Sequence, residues 1–272
     1  MSAAGPPQGA KGAPTGGSAA ATAASVGVDI RAAGPPQGAK GAPTGGSATA
    51  TAASVGVQPP SVFAQDDALA RGIATLGVAV SPAQLGQLRA YVALMEKWNR
   101  TYNLTAIREP ERMVTHHLLD ALAVVPHLPQ RARLRVLDVG SGGGVPGIPL
   151  AIVRPDWHVA CVDSNHKKIA FVTQAAIELK LPNVEAHATR VEDYAPAAPF
   201  DVVISRAFSD LASFVQSSAR HVAPGGVLAA MKGVHPDEEL AELPADVLVV
   251  AKPALAVPGL DAARHLILMQ RA

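Results

Sequence analysis

The apolar run Arg135-Val136-Leu137-Asp138-Val139 leads directly into Gly140-Ser141-Gly142-Gly143-Gly144, and no other segment restricts the fold as strongly. A short β-prone run stopped by so many glycines reads as a strand that turns sharply. Glycine reaches positive φ without strain and lets a ligand approach the backbone. The helix expected after the turn offers unpaired N–H groups at its first turn. In an open parallel sheet, ligands bind in this position, beyond the carboxyl ends of the strands.

The sequence after residue 135 repeats the pattern. Residues 159–163, 200–204 and 227–231 are further short apolar runs, the last preceded by Pro224-Gly225-Gly226. Between them lie stretches of helical period, such as 167–180 with Ile169, Val172, Ala176 and Leu179 on one face. Near-continuous apolar strands alternating with helices imply a mostly parallel sheet covered on both sides. Residues 247–250 and 265–269 read as a C-terminal antiparallel hairpin.

Upstream, Ser81-Pro82 is a helix start, with a capping hydroxyl and proline at the first helical position. Leu85, Leu88, Val92 and Met95 follow at helical spacing, with Tyr91 and Trp98 flanking them. A polar break is expected at residues 99–103, then a second helix over 109–125, ended by Pro126. The expected organisation is α/β: a small helical N-terminal subdomain over 62–130 and a Rossmann-like domain over 131–272.

Residues 1–61 differ in kind. Residues 3–28 and 32–57 are two copies of one segment that differ only where Ala20 faces Thr49. Glycine and proline make up about a third of the 61 residues, with no aromatic residue and no leucine, a composition that cannot bury enough apolar surface to offset chain entropy. The expectation is a disordered tandem-repeat tail. Its three basic residues and one acidic residue leave 20 basic and 21 acidic in the remainder, so any nucleic-acid surface must be a local patch. The single cysteine, Cys161, excludes an intrachain disulfide and fits a reducing, cytoplasmic setting. No apolar run is long enough to span a bilayer, and no His/Cys cluster has metal spacing, so neither membrane nor metal is expected.

Gly142-x-Gly144-x-x-Gly147 also satisfies the dinucleotide fingerprint, with Asp163 ending the next strand where a carboxylate can accept from a ribose diol. A nicotinamide oxidoreductase is therefore the rival to an S-adenosylmethionine enzyme. Three features favour the latter. Asp138 stands just before the first glycine, Pro224-Gly225-Gly226 precedes the fifth strand, and little of the chain remains for a separate dehydrogenase substrate domain.

Several separated markers resemble one family. They are Lys97-Trp98-Asn99-Arg100-Thr101-Tyr102-Asn103-Leu104-Thr105, His117-Leu118-Leu119-Asp120, Leu137 through the glycine turn to Gly147-Ile148-Pro149-Leu150, Ser205-Arg206-Ala207-Phe208, and residues 259–266 with Arg264-His265 inside. In this order they are similar to the bacterial 16S ribosomal RNA guanine-N7 methyltransferases, the glucose-inhibited division protein B family. Gly143 stands where that family often has Ala or Pro, and Ala121 where Ser is usual. The repeated tail has no family counterpart.

The resemblance implies a class I S-adenosylmethionine-dependent fold that methylates one guanine, at N7, in the 530 loop of 16S rRNA. It implies a cofactor site that includes Gly140, Val145, Val191, Glu192 and Arg206. The general logic of the fold adds Asp138, Gly142 and Asp163. Guanine N7 has an in-plane lone pair and no proton, so no general base is expected; Arg206 is the candidate for positioning and electrostatic stabilisation. The residues also lack the marks of other methyl acceptors. Ser205-Arg206-Ala207-Phe208 is not the Asn/Asp-Pro-Pro loop of exocyclic-amine enzymes, and a second cysteine for pyrimidine C5 chemistry is missing.

The expected partner is 16S rRNA or the 30S subunit, held mainly through phosphates by Lys167, Lys168, Arg190, Lys232 and Arg264. A lone Lys or Arg is otherwise a solvated surface charge. His117 is expected to brace the helical prelude against the catalytic domain, Asn103 and Thr105 to fix the loop over the cofactor or stabilise a turn, and Trp98 and Tyr102 to pack. The remaining alternatives are a same-fold methyltransferase for another RNA or small molecule, and a non-catalytic RNA-binding module. Deleting residues 1–60 is expected to leave turnover intact; a large loss in the truncated protein would contradict the reading of that segment as a dispensable extension.

Overall fold

Strand β1 (Arg135–Val139) lies at the centre of a seven-stranded sheet and sets the order of everything around it. The computed structural model describes residues 62–206 and 208–272, with side chains from residue 68 onward; the repeated segment 1–61 lies outside the described residues. The chain runs outward from β1 to β2 (His158–Asp163) and β3 (Val184–Ala188), all parallel. It then crosses to the other side of β1, adding β4 (Phe200–Arg206) and β5 (Val222–Lys232) in parallel. β6 (Val247–Ala251) and β7 (His265–Arg271) complete the order β3-β2-β1-β4-β5-β7-β6, with β7 antiparallel to both neighbours. The reversal of direction at β1 and β4 opens a crevice at their carboxyl ends.

The central strands are buried on both faces, and successive side chains alternate between two cores. Val136, Val159, Cys161, Val202, Ile204, Ala229 and Leu266 enter one core. Their neighbours Leu137, Ala160, Val162, Val203, Leu228 and Ile267 enter the other. That is why the strands read as unbroken apolar runs rather than alternating ones. The first core is covered by α2 (Pro82–Tyr102), α5 (Gly147–Val153) and α6 (His166–Glu178), the second by α7 (Leu211–Ser218). Two further helices are α1 (Val62–Thr75), before the sheet, and the short α8 (Asp237–Ala241), between β5 and β6.

Helix α2 starts as expected, with a capping box between Ser81 and Gln84 and Pro82 in its first turn. It does not break at Asn99. The helix continues to Tyr102 and ends on Asn103 in the left-handed region at φ 50. Asn99 is polar but only 4% exposed; its Oδ1 accepts from Thr105 N–H (2.9 Å) and its Nδ2 donates to Ile107 O (3.1 Å). The polarity expected to end the helix instead ties down the loop after it. Trp98 packs between Tyr102 and Phe171, with ring centroids at 5.1 and 5.7 Å.

The helix expected over 109–125 is divided. α3 (Pro110–Met113) passes into a π turn over Val114–Leu119, then α4 (Asp120–Leu122), and a 3₁₀ turn over Val125–His127 ends it. A π turn carries more residues than an α turn, so side chains beyond it point in directions that a 3.6-residue period does not foresee.

The prelude helices share the core of the sheet. Leu88, Tyr91, Leu118 and Leu122 belong to the same apolar cluster as Val136 and Val159. Strand order also departs from sequence order at the end. β7 lies inside β6 because residues 266–269 are buried, whereas Leu248, Val249 and Val250 are exposed on the edge. Pro224-Gly225-Gly226 falls inside β5, not ahead of it.

Asn99→Ala removes a donor and an acceptor that serve two part-buried backbone groups. It is expected to lower stability by about 2 kcal/mol, read as a lower urea midpoint at unchanged m-value.

Candidate cofactor and substrate site

The glycine turn is pinned from behind. Gly140 and Ser141 N–H both donate to Val162 O, at 2.8 and 3.1 Å, so the chain leaving β1 hooks over the end of β2. Gly142 N–H donates to Asp163 Oδ2 at 2.9 Å, and Asn165 N–H to Asp163 Oδ1 at 2.8 Å. Gly147 N–H, at the start of α5, donates to Asp138 Oδ2 at 2.8 Å in fully buried space. A Cβ at Gly147 would lie 2.6 Å from Cys161 Sγ and 2.9 Å from Asp138 Oδ2, so only glycine lets this bond form. Gly144, at φ +81, would place a Cβ 2.6 Å from Ile148.

Two cavities meet at Gly140. One, of about 210 Å³, is lined by Asp163, Thr189, Arg190, Val191, Glu192 and Phe208 among others. The second, of about 180 Å³, is bounded by Gly140–Gly143 and Val145 on one side and by Met95, Leu104, Thr105, His117, Lys168 and Arg206 on the other. A larger cavity of about 610 Å³, between α1, the π turn and Pro258-Gly259, contains none of the strand-end residues.

The loop after β3 that lines the first cavity is held by two side chains the sequence did not single out. Arg220 Nη2 donates to the carbonyls of Val191 (3.2 Å), Glu192 and Tyr194 (3.1 Å), and His221 Nε2 lies 2.9 Å from Val191 O. The N–H groups of Val191 and Glu192 have no acceptor among the described residues. Both contacts come from the segment after α7, far off in sequence, so no local pattern announced them.

In the second cavity Arg206 ends β4. Its Nη1 donates to His116 O at 2.9 Å and reaches Asp120 Oδ2 at 3.4 Å. Both of its Nη atoms lie 3.4 Å from His117 Nδ1. His117 Nε2 is 3.0 Å from Thr105 Oγ1. Burial, with the guanidinium beside it, holds the His117 imidazole down to about 4, so it is neutral near pH 7.

Of the expected site residues, Gly140, Gly142, Val145, Asp163, Val191, Glu192 and Arg206 all line these cavities. Asp138 does not. It lies behind the turn, fully buried, and burial pushes its carboxyl up to about 7 against the pull of Gly147 N–H and Arg206. Among the described residues its Oδ1 has no hydrogen-bond partner, nor does the buried Ser141 Oγ, which lines the second cavity.

The expected phosphate-binding cations separate. Lys167 is exposed on the first turn of α6, and Arg190 is at the mouth of the first cavity. Lys168 faces the second cavity beside the glycine turn. Lys232 is taken up internally: Nζ is 2.7 Å from Glu239 Oε2 and 3.3 Å from Phe208 O, with only 11% of the side chain exposed. Arg264 is likewise engaged, with Nε donating to Asp120 Oδ1 at 3.0 Å. Met95 and Leu104 were not anticipated as cavity walls. The helical prelude reaches the site only through tertiary packing.

The strand order, the glycine turn after β1 and the carboxylate after β2 define a class I S-adenosylmethionine-dependent methyltransferase. The family model for rRNA small subunit methyltransferase G (GidB) matches residues 84–267. The chain is 54% identical over 201 residues to the ribosomal RNA small subunit methyltransferase G of Laribacter hongkongensis, covering 74% of this chain and 96% of that one. It is 52% identical over 211 residues to the protein of that name from Nitrosospira multiformis, covering 75% and 96%. Among solved structures, the glycopeptide N-methyltransferase MtfA complexed with S-adenosyl-L-methionine aligns with a TM-score of 0.49 at 14% identity, over 57% of this chain and 95% of that one. The chain belongs to the rRNA small subunit methyltransferase G family.

Asp138 and His117 load stability with opposite signs. Between about pH 4 and 7 the unfolded chain releases the Asp138 proton that the folded protein keeps, so this group's contribution falls as pH rises. Below about 6.5 the unfolded chain protonates His117 while the folded protein, with its value at about 4, does not, so that contribution falls as pH drops. Each slope is about 1.4 kcal/mol per pH unit, and over pH 4–6.5 they offset each other. Relative to wild type, Asp138→Asn should therefore gain stability as pH rises through that window and His117→Gln should lose it. Parallel denaturation profiles for all three proteins would contradict this.

Proposed function

We propose that this protein transfers a methyl group to N7 of a guanine in the 530 loop of 16S rRNA, guanine-527 in conventional rRNA numbering. The observation that carries the reading is the chemistry of the cavity at Arg206, in a chain of this family. No carboxylate lines it, and its one imidazole has a pKa of about 4. Such a site is poor at removing a proton, and guanine N7 has none to remove. Alignment and electrostatics are what remain for the protein to supply.

The residues present fit the cofactor. The glycine turn presents bare backbone, and among the described residues Ser141 Oγ is buried without a partner and the Val191 and Glu192 N–H groups meet no acceptor. When bound, S-adenosylmethionine supplies a methyl group already activated on a sulfonium. Asp163 would accept the ribose hydroxyls on the lone pairs its two N–H donors leave over. The Val191–Glu192 amides would meet the adenine edge. Gly140, Gly142 and Val145 would bound the methionine end, and Asp138 would act indirectly, by fixing the turn to the start of α5. Arg206 would orient the reacting groups with the donors its internal partners do not use.

For the RNA, Arg190 is an exposed cation lining the first cavity, Lys167 an exposed one on the first turn of α6, and Lys168 lines the second cavity beside Arg206. Lys232 and Arg264 are committed to internal carboxylates and are better read as structural. The partner in this reading is 16S rRNA or the 30S subunit, met in the cytoplasm.

Arg206→Ala should lower methyl transfer by about 100-fold while the folded state survives, measured as turnover beside a thermal midpoint. The target is tested by mapping 7-methylguanosine on 16S rRNA from cells lacking the protein and from complemented cells. Persistence of the mark in the deleted strain would refute it.

A further inference from the structure

Asp120 is 2% exposed and carries a carboxylate that two arginines share. Arg206 Nη1 approaches Oδ2 at 3.4 Å from the end of β4, and Arg264 Nε donates to Oδ1 at 3.0 Å from the residue preceding β7. The carboxylate itself comes from α4, just past the π turn. Three separated parts of the chain therefore converge on one buried anion.

The arrangement fixes geometry. A guanidinium can rotate about its long side chain, and the Arg206 side chain, 26% exposed, lies at a cavity wall where solvent could draw it away. On one side it is tethered to His116 O and Asp120, and His117 Nδ1 limits its swing. Its Nε–H has no acceptor among the described residues. Arg264 holds the other carboxylate oxygen, which leaves Oδ2 facing Arg206. Two cations around one anion also leave a net positive charge beside the cavity, a field suited to an oxygen acceptor or a carboxylate on the ligand.

We propose that Asp120 is a positioning residue: bridging Arg206 and Arg264, it holds the Arg206 guanidinium in the orientation that engages the bound cofactor. This rests on the reading of Arg206 as a cofactor-site residue and adds to it a residue and a mechanism.

The test is a double-mutant cycle read by calorimetry with S-adenosylmethionine alone, so that it does not depend on the RNA target. Asp120→Asn keeps the shape and removes the charge. It is expected to weaken cofactor binding about tenfold, the scale of one charge-assisted hydrogen bond. In an Arg206→Ala background the same change should have no further effect, because Asp120 acts through Arg206. Equal losses in both backgrounds would overturn the proposal and assign Asp120 a general structural role, as would unchanged affinity in the single variant. Should Asp120→Asn not fold, Arg264→Gln serves instead. It frees one carboxylate oxygen, and a several-fold loss that vanishes in the Arg206→Ala background is expected; an unchanged affinity would overturn the proposal. A wild-type protein that binds cofactor tightly but leaves 16S rRNA unmethylated would refute the target without touching this result.

Discussion

The bond between Gly147 N–H and the buried Asp138 carboxylate closes the loop that builds the site. Asp138 is the fourth residue of β1 and Gly147 the first of α5, so this one contact decides where the helix begins relative to the strand. Everything between them is folded to make it possible. Gly147 has no side chain because Cys161 Sγ and the carboxylate occupy that space. The turn then lies across the end of β2, held by Val162 O and Asp163. Putting a carboxyl in a dry interior is costly. Here it accepts one backbone donor, and burial drives it toward its protonated form.

The helical prelude supports the same loop from the other side. Gln84 Nε2 donates to the carbonyls of Ile152 and Val153 at the end of α5, and Gln87 Nε2 to Leu179 O at the end of α6. Tyr91, fully buried, donates to Gly143 O within the glycine turn. Helix ends carry carbonyls with no partner in their own helix, and α2 serves two such ends and the turn at once. In this way one amphipathic helix orients both helices that flank the crevice. It also brings Met95 and the Leu104-Thr105 loop to the cavity wall.

The electrostatics suit the proposed reaction. Transfer to a ring nitrogen that bears no proton would ask for alignment rather than for a base. Around Arg206 the protein supplies a cation, a neutral imidazole and a buried anion shared with a second cation. The cluster joins the prelude, β4 and the segment before β7.

Much of this was legible in order of residues. Glycines after an apolar strand, an acid ending the next strand and proline after serine at a helix start are local signals, because backbone conformation and helix capping are decided by neighbours in sequence. So are strands buried on both faces, since they need no polar alternation. Other features were not legible. Asn99 reads as a helix breaker, yet it is buried and fastens a loop six to eight residues away. Lys232 and Arg264 read as free cations, but Lys232 pairs with Glu239 on α8 and Arg264 with the shared Asp120, 144 residues away. Residues 247–250 and 266–269 are equally apolar, and only packing put one strand inside and the other on the edge. The sequence by itself determined the strand–turn–helix unit and the kind of ligand it can hold, because these depend on local geometry. Only the tertiary structure decided which charges remain free to act, because a charge is spent or spared by partners brought from elsewhere in the chain.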